Sequence, residues 1–498
     1  MHSQHTAQAS TPAGAAPAAD PAVAPACPGV AEACSLALRT ARMRTLAMFD
    51  DLPPEAMLGP RLAIVNPPLW EFGHLGWFQE RWLLRPRPDG TLAPSLLPGA
   101  DALYDSSAVA HATRWDLPLP KPAATRAYLA QVMELSLERI SRLDGTAGAD
   151  QAAIGLAFHA TVCAQHEQMH AEAFAHGRQT LGYPAARATG SDPSPGTGPA
   201  PASATRAGGA LGDGRQRVAQ CAAASTPAAG DACIDGGDFM LGARPGEGFV
   251  FDNEKWAHRV TVAPFSIARS ATSCADFAAF VDAGGYQDRR WWSEAGWAWR
   301  QAAGAYAPVY WRAMLAQQGW EVRRNDAWRP LHPDEPMLHV NAHEAEAWCR
   351  WAGRRLPTEA EWEFAASAGG ADAPGMKRRH PWGDGSPGPA LANLWFPAGA
   401  LAEVAAADAF AQGQSLHGCR QMTGNVWEWT ASDFEGYPGF RPDPYREYSE
   451  PWFGTHRVLR GGCFATAASV IRNTWRNFYT PDRRDAYAGF RTCAAGRR

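Results

Sequence analysis

The feature that most limits what this chain can fold into lies near its middle. Between Ala186 and Gly230 the sequence is dominated by Ala, Gly, Pro, Ser and Thr, as in "TGSDPSPGTGPAPASATRAGGALGDG". Such a stretch cannot bury enough apolar surface to offset the entropy of ordering it. It predicts a flexible linker over 186–230 and divides the 498-residue chain into two folding units, the number its length also favours.

The unit before the linker, 30–185, reads as helical. "EACSLALRTARMRTLAMFDDL" and "AATRAYLAQVMELSLERISRL" repeat apolar residues at intervals of three and four. "NPPLWEFGHLGWFQERWLL" and "QAAIGLAFHATVCAQHEQMHAEAFAHGRQTLGY" add two more candidates, and four helices predict a bundle. The unit after the linker, 231–498, changes texture to short apolar pieces, glycines and turns, as in "IDGGDFMLGA" and "HRVTVAPFSIAR". An amphipathic helix is predicted at "NAHEAEAWCRWAGRR". Thr358 and Glu361 in "LPTEAEWEFAASA" fit a capping box. The fold class is therefore multidomain, α followed by α+β, with much irregular backbone and no internal repeat.

The first residues, 1–29, read as a disordered Ala/Pro tail, without the basic start and leucine-rich core of a secretion signal. Ten scattered cysteines include no C-x-x-C pair, which suits reduced thiols, so a cytoplasmic location is expected. A net charge of −4 without basic runs argues against nucleic acid and anionic membrane surfaces as partners. No apolar run is long enough to span a bilayer. Small molecules are the expected partners, and a monomer or weak homo-oligomer the expected state.

Within the helical unit, His166 and His170 of "HEQMHAEAF" sit at i and i+4. On a helix they share one face with a rise of about 6 Å, a spacing that one metal ion can bridge. Two ligands do not make a site, and such a pair alone is often an accident. His74 in "WEFGHLGWFQERW" is the third candidate, because an imidazole without a partner would sit poorly among those large apolar residues. His159 lies about 10 Å from His166 along the axis, so it is read as supporting or structural. Glu172 is rotated about 200° from His170 and is expected to anchor the helix to a neighbour. Three neutral imidazoles leave open coordination positions, which points to catalysis and away from a closed structural zinc site; imidazole suits iron and zinc alike.

"LWEFGHLGWFQERW" and "HEQMHAE" together resemble the histidine pattern of the DinB-like domain in the ergothioneine-type nonheme iron sulfoxide synthases. "GGDFMLG", "RRLPTEAEWEFAA", "HPWGDG", "GNVWEWTASDFEGYPGF", "RVLRGGCFAT" and "GFRTC" resemble the C-type-lectin-like fold of formylglycine-generating enzymes, also called sulfatase-modifying factors. The resemblance implies a DinB-like four-helix bundle followed by that domain. It also implies Fe(II) on His74, His166 and His170, O2 as co-substrate, and hercynine as the acceptor of a chalcogen atom at the imidazole carbon between its ring nitrogens.

Departures from the thiol-using relatives bear on the donor. "LLPGADALYDSSAVAHATRWDLPLP" lacks their clustered arginines and leaves Arg114 as a thin clamp for a carboxylate. Met169 stands where many relatives carry glutamine, and Tyr479 follows Phe478 where they carry an acid for the donor's ammonium group. These features resemble the selenoneine synthase branch, which uses a selenosugar, 1-seleno-β-D-glucose. By the same resemblance Asn477 lies near the betaine end of hercynine, Phe478 faces its trimethylammonium, and Tyr445 in "PYREYSEPWF" is the proton or hydrogen donor. The tryptophans of "GNVWEW" and Cys463 of "RGGCFAT" are read as core. Competing readings are a sulfoxide synthase using cysteine or γ-glutamylcysteine, a DinB-type thiol transferase active without oxygen, and a lectin-like binding protein with no catalytic role.

Overall fold

The computed structural model describes residues 29–143, 151–186, 230–314, 319–369, 375–397 and 403–495. Most of the expected tail and linker lies outside the described residues. Four long helices build the first unit: α1 (Val30–Phe49), α2 (Pro68–Leu83), α4 (Pro122–Ile140) and α5 (Gln151–Leu181), with a short α3 (Ala100–Tyr104) between α2 and α4. They correspond to the four helical stretches of the sequence.

α2 is the hub. Proline at its N1 position costs no hydrogen bond there, and nearly every residue from Pro68 to Glu80 is buried. A helix apolar on all sides must be surrounded, and α2 packs on α3, α4 and α5 while α1 packs along α5. One guanidinium ties the four long helices together. Arg42 of α1 donates to Glu167 of α5 (2.7 Å), Gln79 of α2 (2.8 Å) and the Leu129 carbonyl of α4 (2.8 Å).

The second unit holds two four-stranded sheets. In the first, β1 (Asp231–Ile234), β4 (Phe265–Ala268), β13 (Cys493–Ala494) and β8 (Arg354–Arg355) lie in that order. In the second the order is β11 (Asn477–Tyr479), β10 (Arg457–Arg460), β9 (Trp427–Asp433) and β12 (Ala488–Gly489). Two smaller sheets pair β2 (Gly237–Leu241) with β3 (His258–Val262), and β5 (Trp311–Ala313), β6 (Trp320–Arg324) and β7 (Ala327–Pro330) in sequence.

Among the described residues four helices accompany these sheets: α6 (Cys274–Asp282), α7 (Glu294–Ala302), α8 (Ala342–Trp351) and α9 (Glu359–Ser367). The capping box of Thr358 and Glu361 forms at the start of α9, and a second, of Asn341 and Glu344, starts α8. Strands this short supply little ladder energy, so buried ion pairs fix the loops between them. Glu359 accepts from Arg460 (2.8 Å) and Arg476 (2.7 Å), and Glu428 from Arg491 (2.9 Å). Trp427, Trp429 and Cys463 are buried, as their reading as core residues requires.

The two units share a buried polar seam. Glu172 of α5 accepts from Trp427 Nε1 and Thr466 Oγ1, both at 2.6 Å, which is the anchoring expected of it. Arg44 of α1 donates to the Ala465 carbonyl and to Gln168 (2.9 Å), and lies 4.4 Å over the Trp395 ring. Burial pulls its guanidinium down to about 10 against the opposing pull of Glu172. Among the described residues no helix is long and apolar enough to cross a membrane.

Candidate metal centre

α2 and α5 run side by side and bring His74, His166 and His170 together, with one ligand nitrogen from each lying within 4.8 Å of the others. The ring centroids are 4.5 Å apart for His166 and His170, 5.4 Å for His74 and His166, and 5.3 Å for His74 and His170. His74 and His166 are buried and His170 is partly open. Burial, with His170 acting in the same direction and the Tyr104 carbonyl opposing, brings the His74 imidazole down to about 3. His166 falls well below its ordinary value for the same first reason. Both rings are therefore neutral at physiological pH, the form that binds metal.

Each ring is oriented by a different device. His74 Nδ1 lies 2.8 Å from the Tyr104 carbonyl, so Nδ1 carries the proton and Nε2 is left with its lone pair. Gly73 makes that contact possible, because a Cβ there would lie 2.2 Å from the Tyr104 ring. His166 stacks on Phe78 with centroids 3.7 Å apart and planes 6° from parallel. His170 Nδ1 lies 3.4 Å from Glu71 Oε1. Burial alone would raise the Glu71 carboxyl, but His170 and Asn66 outweigh it and hold it below its ordinary value.

The second unit contributes the cover. Tyr445 is half-buried with its ring 5.0 Å from Phe78 and 6.0 Å from His166, and burial pushes its phenol upward. Tyr448 lies 6.1 Å from Tyr445 and donates to Met169 Sδ at 3.5 Å. Asn477, Phe478 and Tyr479 form β11, at the edge of their sheet. Phe478 stacks on Phe434 at 4.0 Å, and Asn477 Oδ1 accepts from the Phe478 amide. Tyr479 lines a cavity of about 220 Å³ between the units, together with Asn66, Glu71, His176, Arg178 and Arg483.

Arg114 is not free to clamp a ligand. Its guanidinium lies 3.7 Å over the Trp70 ring and donates to Asn66 Oδ1 (2.6 Å) and the Val109 carbonyl (3.2 Å). His159 stacks on Trp82 at 5.2 Å, away from the triad, in keeping with its structural reading. Sequence reasoning missed Glu71, Phe78 and Tyr104. Glu71 and Phe78 stand three before and four after His74, so helical spacing alone places them on its face. Tyr104 reaches the site from another helix, and nothing local marks it.

Three convergent imidazoles, with an oxygen facing Nδ1 of His74 and of His170 and no fourth protein ligand among the described residues, fit an open transition-metal site. A bundle that presents such a centre to a mixed α+β cover defines a class of two-unit proteins with the candidate site at their junction. The chain matches the DinB superfamily over residues 37–174 and the sulfatase-modifying factor enzyme 1-like domain over residues 217–495. It is 38% identical over 462 residues to a hercynine oxygenase of Mycolicibacterium thermoresistibile, covering 91% of this chain and 92% of the relative. A hercynine oxygenase of Mycolicibacterium smegmatis is 36% identical over 466 residues, covering 91% and 96%. A formylglycine-generating enzyme of Streptomyces coelicolor is 36% identical over 287 residues, covering 53% of this chain and 88% of its own. The chain belongs to the hercynine oxygenase family, a fusion of DinB and sulfatase-modifying-factor domains.

Proposed function

We propose that this protein is an Fe(II)- and O2-dependent enzyme that joins a selenium donor, the selenosugar 1-seleno-β-D-glucose, to the imidazole carbon of hercynine. The observation that carries the reading is the convergence of His74, His166 and His170 within 4.8 Å in a chain similar to hercynine oxygenases over most of its length. Iron held by these residues would supply the dioxygen chemistry, for which a three-imidazole site with open positions is suited. Tyr445, kept protonated by burial and standing over His166, is the residue that holds a proton for the reacting substrate. Tyr448 and Met169 form one wall of the hercynine site, and Asn477 and Phe478 approach its betaine end.

The donor assignment is supported by the charge state of the cavity beside the triad. Both arginines on its lining are committed. Arg178 donates to both oxygens of Asp51 (2.8 and 3.0 Å), and Arg483 to both of Asp485 (2.6 and 2.8 Å). Arg114, one residue away through Asn66, is committed as well. A donor carboxylate would find no fork there. What the wall offers is acceptors and a hydroxyl, from Glu71, His176 and Tyr479. His176 Nδ1 faces the Asp485 carboxylate at 3.7 Å. Such a wall matches sugar hydroxyls.

Turnover of hercynine with 1-seleno-β-D-glucose, cysteine and γ-glutamylcysteine, each with and without oxygen, tests the reading. The selenosugar should be consumed fastest and only aerobically. Preference for an amino-acid thiol would assign the protein to the sulfoxide synthases that form a carbon–sulfur bond, a reading that its full-length similarity to hercynine oxygenases favours equally. Oxygen-independent transfer would instead make it a thiol transferase.

A further inference from the structure

Glu71 stands one helical turn before His74 on α2, and its carboxylate points across to α5. Its Oε1 lies 3.4 Å from His170 Nδ1 and accepts from Asn66 Nδ2 at 3.0 Å. Among the described residues that imidazole nitrogen, buried at the atom, completes no hydrogen bond, and the Glu71 oxygen at 3.4 Å is the polar atom that faces it. Asn66 is held in turn, because its Oδ1 accepts from Arg114 at 2.6 Å. The Arg114 guanidinium rests 3.7 Å over Trp70, and Trp70 stacks on His74 at 5.1 Å and 11°. The contacts thus close a loop from one metal-ligand candidate to another: His170, Glu71, Asn66, Arg114, Trp70, His74.

We propose that Glu71 is the positioning residue of the metal centre, holding the Nδ1 proton of His170 so that the Nε2 lone pair faces the ion, and that Asn66 and Arg114 hold Glu71 in place. The inference rests on the three histidines binding a metal. Partners of this kind fix the tautomer and raise the basicity of a ligating imidazole. His74 has its own fixed partner in the Tyr104 carbonyl and His166 is fixed by stacking on Phe78, so His170 is the candidate ligand that depends on a polar side chain. Arg114 then supports the ligand shell and has no direct contact with substrate.

Co(II) titration in competition with a colorimetric chelator, together with the visible spectrum of the Co(II) protein, tests this without reference to turnover. Glu71→Ala should weaken Co(II) binding by about 10- to 100-fold and alter the spectrum. Glu71→Gln, whose amide oxygen still accepts from Nδ1, should recover most of the affinity, and Asn66→Ala should fall between. Wild-type affinity and spectrum in Glu71→Ala would overturn the proposal. If Glu71→Ala does not fold, wild-type affinity and spectrum in Asn66→Ala overturn it equally. Failure of the unaltered protein to bind Co(II) would refute the three-histidine reading itself, a distinct outcome.

Discussion

At the scale of single residues the triad makes the sharpest demands. His166→Ala removes one of the three candidate ligands, and under the proposed function elemental analysis of the purified variant should find the metal content of the wild-type protein lost while far-UV circular dichroism is unchanged. Burial of neutral imidazoles also sets a pH dependence. An unfolded histidine titrates near 6.5, whereas His74 in the folded chain titrates at about 3. Between these values the unfolded chain binds the extra proton, so stability falls as pH falls from about 6.5 towards 3 and is fully present above that window. Denaturant unfolding of the chelated protein across this range should show the loss, and a flat profile would contradict the burial of neutral rings. The histidines were legible in the sequence because two share a helical period and the third is out of place among apolar neighbours. Tyr104 and Asn66 were not, since Tyr104 comes to the site from the separate helix α3 and Asn66, just before α2, is held by Arg114 from a distant stretch of chain.

At the scale of elements, α2 carries the site and shows what a pattern conceals. Its helical character was readable, but nothing in the sequence says why Gly73 and Gly76, residues of poor helix propensity, stand inside it. Packing explains them: a Cβ at Gly76 would lie 2.8 Å from Leu129, and one at Gly73 would meet the Tyr104 ring. Gly73→Ala should therefore destabilise the protein by about 1–3 kcal/mol through overpacking and weaken Co(II) binding by displacing the Tyr104 carbonyl. Thermal unfolding and metal titration of the same sample would check both effects. The helices α6 and α7 escaped the sequence reading because each is short and lies among tryptophans and glycines whose period is ambiguous. The start of α9 was legible because capping is local chemistry, and Thr358→Ala should cost about 1 kcal/mol in thermal unfolding.

At the scale of the whole molecule the sequence disclosed the division into two units and concealed how they join. The Ala/Gly/Pro-rich middle is visible in composition alone. The seam pairs Glu172 with Trp427 and Thr466, and Arg44 with Ala465, at separations along the chain that no local pattern can bridge. Trp427→Phe should leave one oxygen of a buried carboxylate without its donor and cost about 1–3 kcal/mol, read as a lower unfolding midpoint.

The position of Tyr445 carries a consequence for how the protein is made. All three metal-ligand candidates have been translated by His170, whereas the tyrosine over them comes from a loop synthesised near the end of the chain. On the ribosome, all three histidines emerge long before the ring that covers them. Under the function proposed above, a polypeptide cut short before that loop would hold the candidate ligands and lack the tyrosine assigned to the proton.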